Sequence, residues 1–508
     1  VRFAERFGPR GGYGLTPAYL VAVLLAGAFL FGGGGAEGLL NNGLIQAASV
    51  FVLLVLIVQH WQGRRSLRDD AMLPVGLLAG LLLIGLAQVI PLPPAAWHGL
   101  PGRDLAESSL RLASAADGWR PLSLDSEATR RSMAALLLPA AIMLAALSAS
   151  LREVQLWLRT LIGCALISSV IGALQLALDY PAILTFYGWN SSGAAAGVFA
   201  NPNHQSTFLV AAIVAVGLTV RLKREAAPAR GLATTFDPTW LAVPVLAAMT
   251  LAADSRAAAL LLVLAIPASV AVGMGLRPQR LWLGTLAFLC IVGLAFLILG
   301  PAGLALFSDD KRTTILPDVL YTLTQYWPWG SGFGTFSAAF AANENLDFAG
   351  RHFVNHAHND ILQFLVDSGV AGALWVGLPV AAVVAMLVIR HWRGRSSRDQ
   401  SFASWAGFVI LALIFLHSLV DYPLRTCSVA AVGGLALGLV FARPRQHTRH
   451  PPVSTAKLRW AFAIALPIGL ILGAQTIRLY AAQAAVRAGD GATAVAIRPQ
   501  NGLGLALA

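Results

Sequence analysis

The stretch HNDILQFLVDSGVAGALWVGLPVAAVVAMLVIR, residues 358–390, opens with three polar residues and continues as a long apolar run. A helix needs roughly 20 apolar residues to cross the hydrocarbon core of a bilayer, so this run is long for a single crossing. Gly369 and Gly372 within it predict a bend or a close helix contact. We therefore interpret the stretch as a membrane span with polar chemistry at one end.

Apolar runs of similar length recur along the whole chain. They predict an all-α, polytopic integral membrane protein with about 13 transmembrane helices joined by loops, some of them large. The predicted spans lie near 16–33, 42–60, 72–91, 132–150, 154–178, 205–221, 238–253, 256–276, 281–300, 358–390, 402–420, 425–442 and 459–479.

The composition agrees with a membrane protein and excludes other classes. Hydrophobic residues make up 57% of the 508 positions and charged residues 12%, whereas soluble domains carry about 25% charged residues. The net charge of +12 comes from basic residues in short loops, which is typical of topology signals and lipid contacts. No basic segment is interleaved with aromatic residues on a soluble face, so nucleic acid is excluded as a partner. The cysteines are far apart and predict neither disulfides nor a metal site.

The distribution of basic residues predicts the topology. Most of the 36 Lys and Arg residues fall in cytoplasmic segments if the N-terminus is placed inside, as the positive-inside rule requires. The transmembrane domain then covers 1–480, and a helical tail, 481–508, lies in the periplasm and has the character of the start of a helical repeat. The three predicted periplasmic loops are 92–131, 179–204 and 301–357.

The candidate site residues share one property: each is a polar or charged residue predicted at the outer end of a span. Placing such residues near the membrane costs free energy, so each of them is a functional candidate. They are Asn201, Asn203, His204, Arg256, Lys311, Arg312, His356, His358, Asn359, Asp360, Asp421 and Arg425.

His358 has three interpretations on physical grounds. A helix that begins near His358 and Asn359 disfavours the imidazolium form, which leaves a neutral ring able to accept a proton. Asp360, Gln363 and Asp367 would then form one polar stripe that faces protein or water. Structural hydrogen bonding by the histidines and a zinc site built on His-x-His are the alternatives. Asp421 and Arg425 are close enough in sequence to pair with each other.

Five motifs carry a resemblance to a known family. HNDILQFLVDSGVAG fits the pattern His, Asn, nine residues, Gly, two residues, Gly. ANPNHQSTF, SRAAAL, YWPWGSGFGTF and LVDYPL occur at similar places along the chain. Together they resemble the O-antigen ligase and polymerase superfamily of bacterial inner-membrane glycosyltransferases, which use polyprenyl-diphosphate-linked glycans.

The resemblance implies a division of roles. His358 would deprotonate an acceptor hydroxyl, and Arg256, Arg312 and Lys311 would hold the diphosphate of the leaving group, with no cofactor and no metal. The other candidates would bind substrate or have structural roles. The implied partners are an undecaprenyl-diphosphate-linked glycan donor, a glycan or lipid A-core acceptor, membrane lipids, and a chain-length regulator or export machinery.

Three activities fit this chemistry and differ only in the acceptor. A polymerase of O-antigen or exopolysaccharide repeat units is the preferred interpretation because a repeat-like periplasmic tail suits an exported polymer. The alternatives are a ligase acting on lipid A-core and a protein O-oligosaccharyltransferase. A polysaccharide transporter or flippase is disfavoured, because transporters usually hold ionisable residues near the bilayer midplane.

Overall fold

The computed structural model describes residues 17–35, 39–62, 71–114, 117–187, 193–226, 236–276, 310–345, 354–392 and 398–441, with isolated residues of 280–291 and most of 474–497. Its helices are α1 Pro17–Phe31, α2 Leu39–Trp61, α3 Met72–Val89, α4 Pro94–His98, α5 Asp104–Leu112, α6 Ser126–Ala135, α7 Leu137–Leu147, α8 Leu151–Ala177, α9 Pro202–Ala226, α10 Ala242–Ala252, α11 Arg256–Met274, α12 Asp310–Tyr326, α13 Phe336–Ala341, α14 Asp360–Trp392, α15 Arg398–Ser418, α16 Cys427–Phe441 and α17 Gly491–Ile497. Strands β1 (Pro91–Leu92) and β2 (Arg120–Pro121) pair antiparallel.

The predicted all-α character is confirmed for the part of the chain that the structure describes. Within it, six helical segments are long and apolar enough to cross a membrane: Leu40–Trp61, Met72–Val89, Ser126–Leu147, Leu151–Ala177, Pro202–Glu225 and Arg256–Met274. Shorter apolar helices add to these. The count of about 13 spans stays a prediction, because 281–300 and 459–479 lie largely outside the described residues.

Helix α9 is the centre of the bundle. An uninterrupted run of its side chains, 208–216, is fully buried. A helix that is apolar all round is surrounded either by lipid or by protein, and protein surrounds α9, which packs against α8, α10, α11 and α15. The Oγ atom of Ser269 on α11 donates to the carbonyl of Ile213 at 2.6 Å, and Gly217 and Gly273 lie where α9 and α11 approach closely.

The first turns of α9, α11, α14 and α16 lie at the same end of the bundle as the last turns of α3, α8 and α15. Ile213 of α9 contacts Ser269 of α11, and Arg224, later in α9, contacts Gly273, later in α11. The two helices are therefore parallel. Thr207 Oγ1 lies 2.6 Å from Nδ1 of His417, which joins the start of α9 to the last turn of α15. We call this end of the bundle the site end.

Helix α14 is broken at Gly369, where the sequence predicts a bend. Gly369 has φ 58° and ψ −151°, a backbone conformation that is essentially restricted to glycine. The loop 327–334 packs against the break: Val370 N–H donates to the carbonyl of Pro328 at 2.8 Å, and Ser331 N–H donates to that of Val366 at 2.9 Å. The break leaves 370–392, about 35 Å of helix, as a span of ordinary length.

Gly369→Ala is expected to destabilise the protein by about 2–4 kcal/mol. A Cβ at this position would meet the Pro328 oxygen and lie 2.7 Å from the carbonyl carbon of Trp329. Gly377→Ala is the matched control, since it lies on the same helix and has nothing within 4 Å. The thermal unfolding midpoint in detergent measures both variants. An unchanged midpoint in Gly369→Ala would contradict the assigned backbone conformation.

The segments predicted as long outer loops contain folded elements. Residues 92–131 hold α4, α5, the two strands and the start of α6, and 301–357 holds α12 and α13. Arg103 is buried, donates to the carbonyl of Leu122 and lies over the ring of Tyr326, with its Cζ 5.5 Å from the ring centroid. Burial lowers the pKa of Arg103 to about 10. This guanidinium therefore joins the two segments.

Candidate active site

Asn359 starts α14 and fixes the residue before it. Its Oδ1 accepts hydrogen bonds from the backbone N–H groups of Ile361 and Leu362, each at 3.0 Å, and its Nδ2 donates to the carbonyl of Leu419 at 2.7 Å. This is an N-cap that also ties the helix to the turn after α15. His358 has φ 49°, a left-handed conformation that is uncommon outside glycine. The predicted helix start is therefore confirmed, with His358 immediately before the cap.

Asp360 in the first turn of α14 is held by groups from the turn between α15 and α16. Its Oδ1 accepts from Nε of Arg425 at 3.0 Å, and its Oδ2 accepts from Ser418 Oγ and from Leu424 N–H, both at 3.1 Å. The Nη1 atom of Arg425 lies 3.8 Å from Oδ2 of Asp367. Arg425 therefore joins two buried carboxylates of α14.

The predicted polar stripe faces protein. Arg425 pairs with carboxylates of α14 in place of the predicted ion pair with Asp421. Asp360, Gln363 and Asp367 are all buried. Arg425 is taken by Asp360 and Asp367, because its side chain points toward the face of α14 that carries both carboxylates. Asp421 lies on the other side of the turn, and its backbone carbonyl accepts the N–H of Asp360 at 3.1 Å.

Three histidines surround the ring of Tyr422. The ring centroids of His356, His204 and His358 lie 4.3, 4.8 and 5.0 Å from that of Tyr422. His204 and His358 approach edge-on, and His356 lies closer to parallel. Residues from α9, from the start of α14 and from the turn after α15 therefore meet around one aromatic side chain.

The carboxylate of Asp421 lies between two of these imidazoles. Its Oδ1 is 3.6 Å from Nε2 of His204 and 3.9 Å from Nδ1 of His358. The N–H of Tyr422 donates to the same Oδ1 at 2.8 Å. Asp421 is fully buried, whereas the His358 side chain is 31% exposed. His358 therefore lies between a buried carboxyl group and the open surface.

His356 is held as one neutral tautomer. Oε1 of Gln363 accepts the N–H of Ala357 at 3.2 Å and lies 3.2 Å from Nδ1 of His356. Because this oxygen only accepts, Nδ1 of His356 carries the proton and Nε2 carries the lone pair. Burial, followed by the charge of Arg425, lowers the pKa of His356 to about 3. His356 is therefore uncharged at neutral pH.

Asn201 shapes the start of α9. Its Oδ1 accepts the N–H of Asn203 at 2.9 Å, and its carbonyl accepts the N–H groups of His204 and Gln205 at 3.1 and 3.2 Å. This capping arrangement orients the first turn, from which His204 reaches Asp421. Asn203 lies in the same turn, where its carbonyl accepts from Thr207 Oγ1 at 3.1 Å.

Arg256 begins α11 at the site end. Ser255 precedes it and caps the helix by accepting the N–H of Ala258. The turn before it contacts the loop that leads to Asn201, since Ala195 N–H donates to the carbonyl of Ala252 at 2.9 Å. Arg256 is exposed and lies on the helix next to α9. Lys311 and Arg312 fall in the first turn of α12, and their side chains lie outside the described residues.

The arrangement places an imidazole 3.9 Å from a buried carboxyl group and brings several helix N-termini to the same end of the bundle. A neutral imidazole beside a carboxylate can accept a proton at its other ring nitrogen. Helix N-termini favour negative charge. Within the described ranges, no group of three His, Cys, Asp or Glu side chains has the geometry to hold a metal ion.

One known protein family matches the part of the chain that contains His358. Residues 241–376 match the O-antigen ligase family. Over this range the chain resembles the O-antigen ligases. The match covers less than a third of the chain and includes Arg256, His356, His358, Asn359 and Asp360. No curated protein matches the chain.

The match at 241–376 confirms the resemblance derived from the motifs. Together with the apolar helices, it supports a multi-pass membrane protein whose function is glycan transfer of the ligase or polymerase type. The family implies a polyprenyl-linked glycan donor and an acceptor in the membrane. His204, Asp421, Tyr422 and Arg425 lie outside the matched residues. In the structure Asp421 and Tyr422 lie beside His358, His204 lies beside Asp421, and Arg425 binds Asp360.

Tyr422 is the site residue that the sequence analysis missed. It stands directly after Asp421 in LVDYPL, and an aromatic side chain beside a candidate carboxylate was the available signal. Its place among three histidines depends on the fold, because His204 is more than 200 positions away in sequence.

Proposed function

We propose that this protein is a membrane glycosyltransferase that polymerises undecaprenyl-diphosphate-linked oligosaccharide repeat units at the periplasmic face of the bacterial inner membrane. The observation that carries the proposal is the Asp421–His358 pair, 3.9 Å apart, at the end of the bundle where Arg256 begins its helix. A general base and a cation at the same end of a membrane bundle are the two groups that this transfer needs.

The reaction proceeds by displacement at the anomeric carbon of the donor. His358 accepts the proton of the acceptor hydroxyl at Nε2, and the hydroxyl oxygen forms the new glycosidic bond. The bond between the anomeric carbon and the diphosphate oxygen breaks, and its electron pair leaves with the polyprenyl diphosphate. Asp421 stabilises the imidazolium that forms on His358, and no cofactor or metal takes part.

The leaving group requires positive charge where its negative charge accumulates. A guanidinium binds phosphate oxygens in a bidentate manner and stays charged at any working pH. Arg256 is assigned this role, supported by the N-terminus of α11, which favours an anion. Arg312 and Lys311 at the start of α12 are assigned supporting contacts. His204 and His356 line the acceptor side around Tyr422, whereas Asn201, Asn359, Asp360 and Arg425 maintain the structure.

Polymerisation is preferred over transfer to other acceptors because of the C-terminal segment. Gly489 has φ 75° in the turn before α17, and Nη2 of Arg478 donates to the carbonyl of Ile497 at 3.0 Å across this turn. Ala482 and Ala494 are buried. This packing of the residues before Gly489 against α17 supports the proposal of a repeat-like periplasmic tail that follows an exported polymer.

Transfer to lipid A-core is the second candidate, and one observation favours it. The family that matches residues 241–376 is described as O-antigen ligase. Both activities use the same donor chemistry, so the proposed roles of His358, Asp421 and Arg256 are the same in each. Acceptor choice separates them.

The test supplies purified protein with a synthetic polyprenyl-diphosphate oligosaccharide, a chelator, and no ATP or ion gradient. Polyprenyl-linked products two, three and more repeat units long support the polymerase. Products on added lipid A-core, or on an added acceptor protein, replace it with a ligase or an oligosaccharyltransferase. Movement of the donor across vesicles without bond formation overturns the glycosyltransferase proposal.

Arg256→Ala is expected to lower kcat/KM for the donor by about 10²-fold, and Arg256→Lys by less, because lysine keeps the charge but loses the bidentate geometry. Initial rates at varied donor concentration measure both variants. Arg224→Ala is the control, since Arg224 binds Gly273 at the opposite end of the bundle. Equal and mild effects of the Ala and Lys variants would show that Arg256 has a structural role.

A further inference from the structure

Helix α12 has one face that no described part of the protein covers. Pro317, Leu320, Tyr321 and Thr324 lie on this face at helical spacing, and Trp327 and Trp329 continue it into the following loop. The four large members, Leu320, Tyr321, Trp327 and Trp329, each expose 44–56% of their surface. We call these six residues the α12 aromatic face.

The opposite side of α12 is packed. Val319 and Tyr326 belong to a small hydrophobic core with Phe336 and Phe340 of α13 and Val366 of α14. This core fixes the rotation of α12 about its axis, so the aromatic face points away from the described part of the protein. The face is therefore exposed even though α12 is packed in a fixed orientation.

We infer that the α12 aromatic face lies in the headgroup layer of the lipid bilayer, so that α12 is held at the membrane surface. The strongest support is the position of the tryptophans. Gly369 packs directly on Trp329 and its neighbours at the break in α14, and below the break the helix continues as an apolar run of span length. Trp329 therefore lies where α14 meets the edge of the bilayer.

The end of helix α3 lies at the same height along the bundle as the break in α14. Gln88 is in the last turn of α3, which is long and apolar enough to be a span. Its Nε2 donates to the carbonyl of Asp367 and its Oε1 accepts the N–H of Phe333, both at 2.9 Å. The end of α3 and the break in α14 are thus level with the loop that carries Trp327 and Trp329.

The α12 aromatic face also continues a surface that faces lipid. Leu374 and Trp375, just below the break on α14, expose 56% and 40% of their surface. Large apolar side chains on a predicted span are exposed to acyl chains. Trp329 extends this surface upward to the level at which tryptophan and tyrosine concentrate in membrane proteins.

The chemistry of the face matches the interfacial layer. Residues 313–329, TTILPDVLYTLTQYWPW, contain one charged side chain, Asp318, and its Oδ2 accepts the N–H of Asn345 at 3.2 Å. Tryptophan and tyrosine combine an apolar ring with a polar tip, which suits the boundary between headgroups and acyl chains. A helix with such a face lies in the plane of the interface.

The test places a benzophenone amino acid at Tyr321 or Trp329 in the full chain and reconstitutes each protein in vesicles of phosphatidylethanolamine and phosphatidylglycerol. Irradiation followed by mass spectrometry measures covalent adducts with phospholipid. The vesicles contain no polyprenyl lipid, so an adduct identifies the bilayer as the occupant of the face. We expect several-fold more phospholipid adduct at both positions than at a control position.

The control is the same amino acid at Ala341, an exposed residue at the end of α13 in the same small folded unit. A phospholipid yield at 321 and 329 no higher than at 341 would overturn the inference. Adducts with a second copy of the chain in place of lipid would overturn it as well, and would assign the face to an interface between copies. Circular dichroism and gel filtration of each labelled protein establish that it is folded.

Discussion

His358→Ala is expected to lower the rate of glycan transfer by about 10³-fold or more, because the acceptor hydroxyl loses the base that removes its proton. Folding is expected to be unaffected. The His358 side chain is partly exposed, and the cap of α14 is supplied by Asn359. The measurement is single-turnover product formation from a polyprenyl-diphosphate glycan, together with the thermal unfolding midpoint.

Two further variants separate chemistry from structure at this position. His358→Gly is expected to be at least as stable as the unaltered protein, because glycine adopts a φ of 49° without strain, and to be inactive. His98→Ala is the matched control: His98 is a histidine of the 92–131 segment, 3.3 Å from Glu107, and activity is expected to persist. Near-normal turnover of His358→Ala would exclude the base role.

Asp421→Asn is expected to lower kcat by about 10²–10³-fold with little change in the KM of the donor. The amide keeps an oxygen that accepts the N–H of Tyr422, so the turn after α15 is expected to remain. The amide cannot stabilise an imidazolium on His358, and its N–H group favours the wrong tautomer of the ring. Steady-state kinetics with varied donor give both parameters.

The dependence of kcat on pH distinguishes a positioning role from a structural one. If Asp421 acts through His358, the acidic limb of the profile, where protonation of His358 abolishes the base, shifts in Asp421→Asn toward lower pH, because the imidazolium has lost its negative neighbour. Asp104→Asn, at an exposed carboxylate in the first turn of α5, is expected to leave the profile unchanged. A lower kcat with an unshifted profile would assign Asp421 a structural role.

The sequence predicted the elements that depend on local pattern. Apolar run length located most helix positions to within a few residues, and the change from polar to apolar residues predicted a helix that begins near His358 and Asn359. Gly369 predicted the break, because a glycine inside a long apolar helix indicates either a bend or close packing. In the 132–150 region one span was predicted, and the structure has one segment of span length, Ser126–Leu147, which starts earlier than predicted and contains α6 and α7 on either side of Leu136.

The sequence did not predict how the polar residues pair. Asp421 and Arg425 are neighbours along the chain, yet Arg425 binds Asp360 and Asp367 while Asp421 faces His204 and His358. The short 3₁₀ turn Pro423–Arg425 sends the two side chains in different directions. The partners of residues in such a turn depend on the helix that packs against it. The spacing of residues along the sequence does not determine that packing.

The hydrogen bond between Asp360 N–H and the carbonyl of Asp421 joins the family domain to the chain that follows it. A fragment limited to 241–376 would keep the imidazole of His358 and lose its carboxylate, its aromatic neighbour and the counter-ion of Asp360. Transplanting the domain into another protein would therefore also require the turn 419–426 and the start of α9 to be carried with it.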